Sequence, residues 1–194
     1  MYAFFNRLSR LMAYLGGAML LALIMVTCIS VTGRSLNGLM HSALMETYAP
    51  DLAQLALTWG VGPVNGDFEL IEAGVAFSIF AFLPLCQISA GHASVEILTK
   101  ALPPAANRII QCIIDILFAL VLLLIAVQLF SGMMSKMRSG QTTLLLEFPV
   151  WWAYALSLTG AVVAALVAVY VAVLRMAEVI RNKAILPTQA GEQN

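Results

Sequence analysis

The chain has 194 residues, of which 61% are apolar and only 10% charged, against about 45–50% and about 25% in soluble domains. Ten acids and ten bases cannot coat a soluble fold of this length, which excludes a soluble enzyme, a disordered chain and a disulfide-stapled secreted module. A net charge of zero gives nucleic acid nothing to attract.

Charge is absent from four long stretches, bounded by Leu11 and Arg34, Glu72 and Glu96, Asp115 and Lys136, and Glu147 and Arg175. Each is close to or beyond the ~20 apolar residues that cross ~30 Å of hydrocarbon. Ahead of the first, residues 1–15 read as an amphipathic helix. Phe4, Phe5, Leu8, Leu11, Met12 and Leu15 recur at helical spacing, with Asn6, Arg7, Ser9 and Arg10 between them. A simple extension of the first span is the alternative. Span one is predicted over 12–32. Its apolar run exceeds the 7–15 residues of a signal peptide, and no A-x-A-like site follows, so it is expected to be retained.

The next loop runs from Ser35 to about Asp67. Pro50-Asp51 opens a stretch in which Leu52, Leu55, Ala56 and Trp59 share a face, predicting a short interfacial helix or hairpin before the turn residues Gly60 to Gly66. Span two is predicted over 70–90. The segment Gly91 to Pro104 follows, with Val95, Leu98 and Leu102 on one helical face and Pro103-Pro104 ending it. Its shortness predicts that spans two and three are antiparallel neighbours. Span three is predicted over 107–131 and span four over 149–174, with Trp151, Trp152 and Tyr154 at an interface. Residues 184–194 read as a polar tail after a single four-span domain of residues 1–183. The fold class expected is an all-α, integral-membrane four-helix bundle, with an N-terminal amphipathic helix and short interfacial helices in the loops.

Four spans put both termini on one side of the membrane. That side would hold Arg7, Arg10, Lys100, Arg108, Arg175, Arg181 and Lys183, against Arg34, Lys136 and Arg138 on the other. Seven bases against three predict cytoplasmic termini.

No catalytic constellation is visible. Cys28, Cys86 and Cys112 form no C-x-x-C and read as packing residues. His41 and His92 fall in loops on opposite sides, so no axial pair for haem lies within the bundle. His92 and Glu96 are four apart, but two ligands on one short helix do not make a zinc site, and a loop hydrogen bond is the preferred reading. No cofactor and no metal are expected. Intramembrane charge would flag an ion pathway, yet Glu69 and Glu72 sit at the outer end of span two and Asp115 in the inner half of span three. A structural ion pair of Arg34 with Glu69 and Glu72 is the expectation, and Arg108, Gln111 and Asp115 at i, i+3 and i+7 suggest a local polar cluster. Small residues carry more. Gly160, Ala164, Ala168 and Ala172 recur every fourth residue, beside a second row of Ala153, Ser157, Ala161 and Ala165. Such rows let helix backbones approach closely, either within the bundle or against another subunit.

The order of these segments resembles the small membrane subunit, the Q or DctQ-like component, of tripartite ATP-independent periplasmic (TRAP) transporters. Span one ends near Arg34, and span two opens with Phe68-Glu69-Leu70-Ile71-Glu72. Gly91-His92-Ala93-Ser94-Val95-Glu96-Ile97-Leu98 is similar to that family's G-x-H-[IV]-x-V-[DE]-x-L, followed by Leu102-Pro103, with no residue between Gly91 and His92 and with Ala93 in place of a branched residue. Glu147-Phe148-Pro149-Val150-Trp151-Trp152 resembles its Pro-Trp opening to span four. The loop from Ser35 to Asp67 is longer than in the family.

The resemblance implies a non-catalytic scaffold in the bacterial inner membrane, within a sodium-coupled importer of organic acids. It implies a large multi-span membrane subunit as partner, a periplasmic substrate-binding protein that docks on the complex, and surrounding lipid. Gly160, Ala164, Ala168 and Ala172 become candidates for the partner interface, with Arg34, Glu69, Glu72, His92, Glu96, Arg108 and Asp115 as structural polar groups. A self-contained homo-oligomeric transporter, in which Asp115 or Glu72 would titrate in a pathway, is the alternative.

Overall fold

A computed structural model describes residues 1–42, 45, 58, 60, 62–89 and 104–181. The predicted interfacial helix at 50–59, the His92–Glu96 segment and the tail at 184–194 lie outside the described residues, apart from residue 58. Four helices account for nearly all the rest: α1 (Tyr2–Met40), α2 (Asp67–Ile88), α3 (Pro104–Ser139) and α4 (Trp151–Arg181). All four are long and apolar enough to cross a membrane, so the chain is an all-α four-helix membrane protein with no β-sheet among the described residues. One end of the molecule, the terminal end, holds the start of α1 and the end of α4. The opposite end is the loop end.

The helices overrun the predicted spans. α1 has 39 residues and α3 has 36, about 58 and 54 Å at 1.5 Å per residue, well beyond the hydrocarbon. The amphipathic N-terminal segment is helical, and it continues into span one without a break. No proline between residues 2 and 40 stops it, and Gly16 is held in the helix by packing against Ala81. The extension reading is the one realised.

The helices lie side by side in the order α1–α2–α4–α3. Half of α4's most apolar window is buried, against 17% for α1 and α3, which places α4 and α2 in the middle and the other two at the flanks. The expectation that spans two and three are neighbours is therefore corrected. α4 separates them along most of their length, and a short connection does not impose adjacency when a helix with two small-residue rows packs more closely on both. Its rows Ala161, Ala164, Ala165 and Ala168 are almost wholly inaccessible.

A seven-residue spacing runs through the packing. α1 buries Ser9, Gly16, Leu23 and Ser30, and α2 answers with Asp67, Gly74, Ala81 and Ile88. Buried residues repeating every seventh position keep one seam of each helix facing its neighbour. On α1 and α2 the seam uses small side chains, so the backbones approach closely. A Cβ on Gly16 would stand 2.9 Å from that of Ala81, and the Ser78 hydroxyl lies between two carbonyls, that of Gly74 at 2.8 Å and that of Gly16 across the seam at 3.3 Å. In lipid such contacts replace the hydrophobic effect as the source of association.

Between α3 and α4 the chain forms a narrow turn. Thr143 N–H donates to the Phe148 carbonyl, Val150 N–H to the Gln141 carbonyl, and Thr142 bridges Pro149.

Candidate functional site: polar clusters at both ends of the helix row

At the terminal end, three helices meet through four polar side chains. Arg175 and Glu178 are three apart on α4, so they share a face. That face is turned inward, leaving Arg175 only 6% and Glu178 1% exposed. Arg175 donates from Nη1 to Glu178 Oε2 at 2.9 Å and from Nε to Asp115 Oδ2 of α3 at 3.3 Å. Gln87, in the last turn of α2, donates from Nε2 to Asp115 Oδ1 at 2.8 Å. The guanidinium's two contacts point to different helices, which its planar fork allows and a lysine ammonium would not reproduce. Away from water, such a group is strongly destabilising if one member is lost, so it holds α2, α3 and α4 in one register. Asp115, expected to cluster with Arg108 and Gln111 along α3, also reaches across to α2 and α4. Sequence reading placed Arg175 among the charges facing the aqueous side and assigned Glu178 no role. The missed signal was their i, i+3 pairing on the same side of α4 as the small residues.

At the loop end, Asp67 is the organising group. Its Oδ2 accepts the Ser30 hydroxyl at 2.5 Å and lies 3.7 Å from Arg34 Nη2, while Oδ1 accepts the Phe68 N–H. The Ser30 oxygen in turn accepts the Val64 N–H at 3.3 Å. The Arg34 guanidinium also sits 5.8 Å from the Phe68 ring centre. The expected pairing of Arg34 with Glu69 and Glu72 is corrected to Asp67. Helical geometry gives the reason: Glu69 and Glu72 fall about 200° and 140° around α2 from Asp67 at 100° per residue, away from α1. Glu69 has a different task. Its two carboxylate oxygens accept the N–H groups of Leu145 and Leu146 at 2.8 and 3.0 Å, tying the α3–α4 turn to α2. Leu146 packs on Gly66, whose φ of 77° suits glycine and where a side chain would collide. Glu72 is exposed.

The partner-interface candidates on α4 turn inward. Ala164, Ala168 and Ala172 join Ala119 and Leu122 of α3 in one buried cluster. Gly160 lies over the α2 backbone, where a Cβ would come within 2.9 Å of Phe80 Cβ. That is the turn at which Pro84, inside α2, removes the donor that the Phe80 carbonyl would otherwise receive. Of the two readings of these rows, close packing within the chain is the one seen. Arg108 occupies the first turns of α3; His92 and Glu96 lie outside the described residues.

The three cysteines are free, with Cys112 buried, Cys86 half-buried and Cys28 exposed on α1. Cys28 is thus a surface residue and not part of the packing. Among the described residues, no three His, Cys, Asp or Glu side chains gather as a metal would need.

These features span the region that comparison with known families identifies. Residues 23–178 match the family described as tripartite ATP-independent periplasmic transporters, DctQ component. Comparison with curated proteins and with solved structures gives no match. The matched region runs from Leu23, in the α1 seam, to Glu178, the last member of the terminal-end cluster, and so includes both polar clusters. The chain belongs to the DctQ family and is a non-catalytic membrane subunit of TRAP transporters.

Proposed function

We propose that this chain is the scaffold of a sodium-coupled TRAP importer for organic acids. It braces the large multi-span transport subunit in the bacterial inner membrane, with both termini cytoplasmic, and its loop end contributes to docking of the periplasmic binding protein. The observation that carries this reading is where the intramembrane charge goes. Arg175 pairs with Glu178 on its own helix and with Asp115 of α3, so these charges serve architecture, where a transport pathway would keep a carboxylate available for an ion. The row of helices supports the same reading. A row one helix deep presents two broad faces to its surroundings, and the exposed apolar residues Leu21, Ile24, Leu117, Leu124 and Leu166 suit lipid or another membrane chain. Charge supports the orientation, since the terminal end carries the greater share of Lys and Arg.

Reconstitution tests the reading. The chain is co-expressed with a TRAP large subunit and binding protein from the same host, purified in mild detergent and placed in liposomes under a sodium gradient. A stoichiometric complex is expected, with carboxylate uptake only when all three chains are present. Uptake by this chain alone would overturn the scaffold reading in favour of a self-contained oligomer.

A further inference from the structure

The side of α3 turned away from α4 changes character along its length. The most apolar 18-residue stretch of α3 has a mean hydropathy of 2.9, above those of the other three helices, yet only 17% of it is buried. Toward the terminal end its outward residues are Leu117, Leu120, Val121 and Leu124, as lipid requires. Toward the loop end they become Gln128, Ser131, Ser135 and Arg138, all exposed. Steps of three, four and three residues keep these on one stripe, opposite the face that buries Cys112, Ala119 and Leu122. Ser131, Ser135 and Arg138 line an open, shallow hollow on this side of α3 together with Val127, Phe130 and Met134. None of the four side chains hydrogen-bonds to another described residue.

Depth makes this unusual. Gly132 packs against the ring of Tyr154, which with Trp151 and Trp152 forms the aromatic group expected at a membrane interface. Gln128 lies one turn further in, about 6 Å along the axis. An amide at that depth faces acyl chains that offer it no hydrogen bond.

We propose that this stripe is the docking face for a transmembrane helix of the large TRAP subunit, one carrying a hydrogen-bonding side chain opposite Gln128 and a carboxylate opposite Arg138. The proposal rests on the scaffold reading above and names the surface it uses. A second copy of this chain fits poorly. Copies in one membrane share an orientation, so a symmetric α3–α3 contact would bring Arg138 against Arg138 with no acid on the stripe. Lipid headgroups satisfy Arg138 but do not reach Gln128.

Photo-crosslinking in the purified complex tests this, with a benzophenone side chain at position 128, 131 or 135 and at Ile24 of α1 as comparison. Adducts to the large subunit at the three stripe positions, exceeding those at Ile24, are the expected result. Q128L should weaken the subunits' association roughly three-fold or more, the range of single interhelical hydrogen bonds, while leaving this chain's own melting temperature unchanged. If the complex forms but the stripe crosslinks only to lipid or to a second copy, the docking face is wrong and the scaffold reading stands. If no large subunit co-purifies, both fall.

Discussion

Arg175 and Arg34 are the same residue type at opposite ends of the row, and burial gives them different weights. Arg175 is 6% exposed and links two carboxylates. R175M would remove the cation that Asp115 and Glu178 share in a buried site, so a loss of about 3–5 kcal/mol is expected. R175K should recover only part of it, because one ammonium cannot make both contacts in the geometry of the guanidinium. The side chain of Arg34 is 56% exposed and its closest approach to Asp67 is 3.7 Å. R34A should therefore cost at most about 1 kcal/mol. Thermal unfolding of the three variants in detergent measures the difference, and equal losses for R34A and R175M would contradict the buried placement. Sequence alone pointed to Arg34 and Asp115 as polar groups of interest. It could not rank them against Arg175, because a basic residue near a span end looks the same whether it faces headgroups or a neighbouring helix.

For the elements, close approach of backbones decides what is tolerated. α4 meets α2 at Gly160, over Phe80 and Ala81, and the same turn of α2 is weakened by Pro84. G160L would wedge the two central helices apart and is expected to cost about 1–3 kcal/mol, the range for overpacking a tight contact. G17L is the matched comparison, since a Cβ there meets nothing within 4 Å; it should unfold within a degree or two of the parent, or slightly higher because leucine favours helix. Melting temperatures in one detergent separate the two outcomes, and an unaltered G160L protein would contradict the packing. The every-fourth-residue row on α4 was legible as a packing face from its letters. The seven-residue seam of Ser9, Gly16, Leu23 and Ser30 was not, because serine, glycine and leucine together make no hydrophobic stripe until the partner helix supplies Asp67, Gly74 and Ala81.

Considered whole, the molecule is a row with α1 and α3 at its flanks. α1 meets α4 only slightly, notably where Phe5 stacks on Tyr170 with ring centres 4.2 Å apart. In a background where Cys28, Cys86 and Cys112 are replaced by alanine, engineered cysteine pairs report this order. Leu23 with Gly74, Ile88 with Val171 and Ala119 with Ala168 should form intramolecular disulfides or short crosslinks, whereas Leu20 with Leu120 should not. Efficient crosslinking of that last pair would mean that the bundle closes and α1 meets α3. A row one helix deep buries little of its flanking helices, so α1 and α3 keep one packed side each and leave the rest of their length to lipid. Their outward sides stay broadly apolar and exposed.

By itself the sequence determined the number of spans, their apolar character, the absence of a catalytic constellation and the family. These properties are local: a run of uncharged residues must cross hydrocarbon wherever its neighbours lie, and motifs keep their order along the chain. The tertiary structure alone decided which helices touch, that Arg34 chooses Asp67 over Glu69 and Glu72, and that Asp115, Arg175 and Glu178 form one group. In lipid, apolar faces do not distinguish a neighbouring helix from acyl chains. Packing of small residues and pairing of buried polar groups make that choice, and both depend on residues far apart in sequence arriving at one depth and facing one another.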